Sequence, residues 1–153
     1  MAGDRRVSWR PLPLAVQLGH LRHMWPDIKA VVHRGLLTAE GWVTPNVLAQ
    51  PYRVSLNYRV GEAPKLWVRE PQIVAYRSPG EPVPHVYDRA EDLRPCLYYP
   101  ISQEWRSDKP LAMTILPWLL LWLSFYEIWL ATGSWLGEGV EHGSNKRQSA
   151  EEI

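Results

Sequence analysis

The chain contains one cysteine, Cys96, and a thiol is the side chain here best suited to nucleophilic chemistry. As a thiolate it attacks a carbonyl carbon, and the thioester so formed passes its acyl group on more readily than an amide does. Two histidines offer such a thiol a proton acceptor or a hydrogen-bond donor. His85 lies upstream in Pro84-His85-Val86-Tyr87; His142 closes Trp135-Leu136-Gly137-Glu138-Gly139-Val140-Glu141-His142, whose glycines suggest a loop crossing close to another segment. The cysteine itself sits in Leu93-Arg94-Pro95-Cys96-Leu97-Tyr98-Tyr99-Pro100, followed by Trp105. Leu93, Leu97, Tyr98 and Tyr99 offer it a packed wall, and Pro95 fixes the backbone just before it. Arg94 favours the thiolate where its guanidinium points at the sulfur. The competing use of a lone cysteine is as a small buried hydrophobe, and of His85 as a hydrogen-bonded structural residue. A protease-like cysteine–histidine pair needs the same residue types, but the glycine-rich setting of a protease nucleophile is absent. His20 and His23 share a helix face with nothing nearby to complete a metal site, and His33 stands alone; neither metal nor cofactor is expected.

Composition narrows the classes. The chain has 153 residues, 46% of them hydrophobic, enough for one domain with a real core. A formal net charge of +1, without a basic stripe interleaved with aromatics, leaves no electrostatic footprint for nucleic acid. One cysteine cannot form an internal disulfide, and Met1 to Arg10 carry charges with no apolar core of signal-peptide length. A cytoplasmic protein is expected. The domain should span residues 1–142, with a polar, aperiodic and disordered tail from Gly143 to Ile153.

The elements that must position the thiol fall into two halves. Leu14, Leu18 and Leu21 recur at helical spacing, with polar Gln17 at the edge of their stripe, so Pro13 to Met24 reads as a first helix that Pro26 ends. Asp27 to Arg34 reads as a strand, and Gly41 to Pro45 as a short strand entering a turn. From Pro51 to Val60, Tyr52, Val54, Leu56, Tyr58 and Val60 alternate with polar residues, the period of a half-buried antiparallel strand. Gly61-Glu62-Ala63-Pro64 is a turn and Lys65 to Val68 begins the next strand. From Pro71 to Pro84 the chain carries four prolines and Gly80, which argues against regular structure there.

Asp108 to Ala131 is the helical half, and Leu111 to Leu130 is apolar enough to raise the question of a membrane span. Pro117 suits the first turn of a helix and Gly133 the position just past its end, which predicts a helix from Trp118 to Leu130. At about 1.5 Å per residue that is too short for a hydrocarbon core of about 30 Å. Glu127 would sit in lipid, and no basic cluster flanks either end. A helix buried on nearly all sides in a protein core, with no membrane partner, is the expectation.

The order Tyr52-Arg53-Val54-Ser55-Leu56-Asn57-Tyr58, Pro64-Lys65-Leu66-Trp67-Val68, Pro84-His85-Val86-Tyr87, Pro95-Cys96-Leu97-Tyr98-Tyr99-Pro100 and Trp105 resembles a ubiquitin-conjugating-enzyme domain. It is most similar to the stand-alone bacterial relatives attached to cyclic-oligonucleotide anti-phage signalling (CBASS) operons. The helix from Trp118 to Leu130, then Thr132-Gly133-Ser134-Trp135, Glu138 or Glu141, and His142, resembles their C-terminal part. The likeness extends from about Leu12 to His142. It implies an α+β fold: an N-terminal helix, a four-stranded antiparallel meander, an irregular cysteine-bearing stretch and C-terminal helices.

The resemblance further implies that Cys96 accepts a protein C-terminus as a thioester and passes it to an amine or another acceptor. The implied cargo is the C-terminus of a cGAS-like nucleotide cyclase. A ubiquitin-like modifier delivered by a separate activating enzyme is the near alternative, and a non-catalytic binding module of the same fold is the other. In one respect the chain departs from the family. Eukaryotic members carry His-Pro-Asn shortly before the cysteine, and the asparagine stabilises the oxyanion. Here Pro84-His85-Val86-Tyr87 occupies that region, and no asparagine lies between Asn57 and Asn145. Backbone N–H groups, His85, Tyr87 or His142 must take over.

Overall fold

A computed structural model describes residues 9–87, 93–98 and 104–137. The expected tail and His142 lie outside them. The first helix, α1, covers Leu14–Met24, and the Trp25 N–H caps its last turn on the Leu21 carbonyl at 2.8 Å. Gln17 departs from expectation. It is not at the edge of the apolar stripe but fully buried, 0% exposed. Its Oε1 accepts the Leu111 N–H at 2.9 Å and its Nε2 donates to the Lys109 carbonyl at 3.1 Å. Both polar ends are satisfied by backbone, so the side chain can sit in the core. The same contacts fasten α1 to the turn that launches the second helix.

Four strands follow as an antiparallel meander in the order β1-β2-β3-β4. They cover Ile28–His33, Leu36–Val43, Tyr52–Tyr58 and Lys65–Glu70. Strand β2 is longer and starts earlier than the short strand expected near Gly41. Arg34 and Gly35 both take positive φ, 48° and 73°, the geometry of a two-residue hairpin turn, so His33 pairs directly with Leu36. The alternation in β3 is observed from Tyr52 to Tyr58, with Tyr52, Val54, Leu56 and Tyr58 all buried. Val60 belongs to the turn instead and is 45% exposed.

The proline-rich stretch is not wholly irregular. Tyr76–Ser78 (β5) and Glu81–Pro82 (β6) form a small antiparallel pair. Pro79-Gly80 turns between them, with Gly80 at φ 81° as a type II turn requires. The Arg77 Nε donates at 3.1 Å to the Leu130 carbonyl at the C-terminal end of the second helix. That tie meets one orphan carbonyl of a helix end and places a cation where the helix dipole favours it.

A 3-10 turn at Leu111–Met113 leads into α2, Ile115–Thr132. The helix therefore begins before Pro117, which occupies its first turn. A missing N–H there costs no intrahelical bond, so proline permits the earlier start. Gly133 stands just past the end at φ 78°, with its N–H on the Trp129 carbonyl at 2.7 Å. Ile115, Leu119, Trp122, Tyr126 and Trp129 mark the buried stripe, while Leu121 and Ile128 are exposed. Burial is thus confined to one side rather than nearly complete. Leu111–Thr132 is the one helix among the described residues long and apolar enough to cross a bilayer, at a mean hydropathy of 1.6. Glu127 lies near Tyr52, whose phenol is pushed up to about 12, chiefly by burial, with the Glu127 charge adding to it.

Candidate active site

The cysteine is held by a crossing of two short extended segments. Val86 bridges Pro95 in antiparallel fashion, the Cys96 N–H donates to the His85 carbonyl at 2.8 Å, and the Tyr87 N–H donates to the Arg94 carbonyl at 3.0 Å. Proline at 95 costs this short ladder nothing, because the flanking residues supply the donors. His85 makes the bend possible with φ of 54°, left-handed and uncommon outside glycine. Its carbonyl accepts a second bond, from the Trp122 Nε1 at 3.0 Å. The crossing and α2 are therefore joined through one oxygen atom.

Beside the sulfur, His85, Cys96, Leu97, Trp118, Trp122 and Phe125 line a cleft of about 420 Å³, with Glu104 and Lys109 at its polar side. Trp135 belongs to the same wall. Its ring lies 5.1 Å from His85, 5.3 Å from Trp122 and 6.1 Å from Phe125, centroid to centroid. The residues after Gly133 thus fold back over α2, and a Cβ at Gly137 would run into the Phe125 ring. Glycine there lets the backbone pass close, as the sequence suggested for this loop.

Cys96 is 8% exposed. Its Sγ donates to the Tyr98 carbonyl at 3.5 Å, and the Tyr87 hydroxyl lies within hydrogen-bond reach of the sulfur. Burial pushes the thiol pKa up; the Tyr87 hydroxyl opposes this, and the Glu104 carboxylate adds to it. Arg94 is placed otherwise than the thiolate reading assumed. Its guanidinium stacks on Tyr87 at 5.2 Å and Trp67 at 5.8 Å. Burial rather than a cation sets the direction of the thiol's shift.

Of the residues singled out in the sequence, the fold brings Cys96, His85 and Tyr87 together. His142, Glu138, Glu141 and Tyr99 fall outside the described residues. Trp105 is a core residue, its indole N–H on the Thr114 hydroxyl at 3.2 Å and its ring against Tyr58 and Tyr98. Trp118, Trp122 and Trp135 had no assigned role. Two of them sit in a helix where nearly every residue is apolar, so no periodicity could single them out; for Trp135 the glycine at 137 was the available signal. Among the described residues, no group of three His, Cys, Asp or Glu side chains is disposed to hold a metal ion.

Residues 17–143 match the model of the family described as Type II CBASS E2 protein. The chain belongs to that family. No curated protein matches it. Membership carries a role in CBASS anti-phage conjugation and interaction with other CBASS proteins. The α+β architecture, an N-terminal helix, a four-stranded antiparallel sheet and a C-terminal helix, is the one the resemblance implied.

Proposed function

We propose that this Type II CBASS E2 protein is a cytoplasmic conjugating enzyme that carries a protein C-terminus on Cys96 as a thioester and transfers it to an amine. The cargo in this reading is the C-terminus of a cGAS-like nucleotide cyclase. The thiol attacks the activated carboxyl carbon and expels its leaving group; the amine then displaces the sulfur. His85 is the donor to the carbonyl oxygen in this scheme, and His142 the second candidate. The observation that carries the reading is the family match over residues 17–143 taken with the chain's one thiol, which lies on the wall of an aromatic cleft. The aromatic lining of the cleft would keep water from the thioester.

Incubation with the cyclase and any activating enzyme, followed by reducing and non-reducing gels, tests the proposal. A thiol-sensitive adduct that disappears in Cys96→Ala is expected. A ubiquitin-like modifier as cargo would give the same chemistry with a different adduct mass. One observation favours the non-catalytic binding module: the thiol is nearly covered and its pKa is raised. A stable complex with no adduct from the wild-type protein would establish that reading instead.

A further inference from the structure

At the crossing, two hydrogen-bond donors share one acceptor. The Tyr87 hydroxyl donates to the Tyr98 carbonyl at 3.2 Å, and the Cys96 thiol donates to the same oxygen at 3.5 Å. Hydroxyl and thiol are also within hydrogen-bond reach of each other. We propose that Tyr87 is a catalytic residue for thioester chemistry at Cys96: its hydroxyl swings from the Tyr98 carbonyl to the sulfur whenever the sulfur is negatively charged. The inference deepens the thioester reading above and rests on it for its biological use.

The physical argument runs from the neutral state. With the thiol protonated, the Tyr98 oxygen satisfies both donors on its two lone pairs. When the thiol proton passes to water, the sulfur becomes an acceptor only, in a place where burial disfavours its charge. Rotation of the Tyr87 hydroxyl about its C–O bond supplies a donor without moving the backbone. The ring is already fixed by the Tyr87 N–H bond to Arg94, the Val86–Pro95 bridge and the Arg94 guanidinium on its face. Burial also raises the Tyr87 pKa, so the phenol keeps its proton and remains a donor. A donor positioned beforehand costs no reorganisation when charge develops.

Among the charged and titratable neighbours, the Tyr87 hydroxyl is the one whose hydrogen bond lowers the thiol pKa, and the Tyr98 backbone adds to it. Arg94 is stacked on the Tyr87 and Trp67 rings, and Glu104 opposes the thiolate. The Lys109 Nζ donates to the Glu104 carbonyl, the Tyr98 phenol pKa is raised by burial, and His85 shares the cleft. The same donor serves the second half-reaction. When an amine attacks the thioester carbon, the C–N bond forms, the C–S bond breaks with its electron pair on Sγ, and the amine proton goes to solvent. The departing thiolate then meets the Tyr87 hydroxyl.

The test needs no partner protein, so its failure is distinguishable from failure of the conjugation reading. The rate of Cys96 alkylation by iodoacetamide is measured against pH for the wild type and Tyr87→Phe, with circular dichroism to verify folding. Loss of the donor should raise the midpoint by about one unit, leaving about tenfold less thiolate at neutral pH. Because nucleophilicity rises with thiol pKa, alkylation near pH 7 should slow only about three- to fourfold, while the plateau at high pH rises about threefold. The two curves should cross. Replacing Tyr87 with 3-fluorotyrosine keeps the ring and strengthens the donor, and should move the midpoint down. An unchanged midpoint in a folded Tyr87→Phe protein overturns the proposal. Should that variant fail to fold, an unchanged or raised midpoint with fluorotyrosine overturns it equally.

Discussion

The bond from Trp122 to the His85 carbonyl should decide how firmly the cysteine segment is held, and Trp122→Phe isolates it. The indole N–H donates at 3.0 Å to an oxygen that also accepts the Cys96 N–H, so that carbonyl is not orphaned by the change. Phenylalanine keeps an aromatic ring against Tyr126, which stacks on Trp122, and against Trp135, which is tilted to it, each 5.3 Å away between centroids. The loss is therefore one buried hydrogen bond, about 1 kcal/mol net, and a small cavity worth about another 1 kcal/mol. For a chain of this size, about 2 kcal/mol lowers the melting temperature by about 4–8 °C.

The local consequence is sharper than the global one. Cys96 is nearly covered on the cleft wall, so a bulky disulfide reagent, unlike the small iodoacetamide, reaches it mainly when the crossing opens. Weakening the tie by about 1 kcal/mol should raise the open population about fivefold, and with it the rate of labelling by a disulfide reagent under native conditions. Urea denaturation and labelling on the same preparation check both numbers. A Trp122→Phe protein with wild-type stability and wild-type labelling would refute the idea that α2 holds the cysteine segment through this oxygen.

Four further outcomes are expected. Cys96→Ser should trap the cargo as a more stable oxyester, while Cys96→Ala should abolish the adduct, keep the non-covalent complex and cost on the order of 1 kcal/mol in denaturant titration. His85→Ala should retain its far-UV circular dichroism yet transfer about 10²-fold more slowly in single-turnover assays, as for loss of one oxyanion donor. Gly137→Val should displace the segment carrying Trp135, because the new side chain meets the Phe125 ring; faster thiol labelling with melting unchanged within about 2 °C is the result to look for. Cys96 and Tyr87 both have pKa values raised by burial, so the folded state holds their protons more tightly than the unfolded chain. Their contribution to stability is whole below the ordinary thiol pKa and is lost as pH rises through the raised values. Melting temperature should therefore fall more steeply at alkaline pH in the wild type than in Cys96→Ala.

The sequence alone determined the elements whose signals are local. Alternation named β3, leucine spacing named α1, and Gly133 marked the end of α2, because backbone geometry and side-chain period are properties of a few adjacent residues. It also singled out Cys96 as the chain's one thiol, and the ordered motifs resembled the family to which the chain belongs. Only the tertiary structure decided what depends on residues far apart. Gln17 is polar at the edge of a stripe until Leu111 and Lys109, some ninety positions on, supply its hydrogen bonds. Arg94 is next but one to the cysteine, yet its cation lies on the rings of Trp67 and Tyr87. His85 was read for its side chain; the structure adds that its backbone, bent at positive φ, ties Cys96 to Trp122. Local pattern fixes which face a residue presents; what it meets there is set by packing between segments, which no short window of sequence contains.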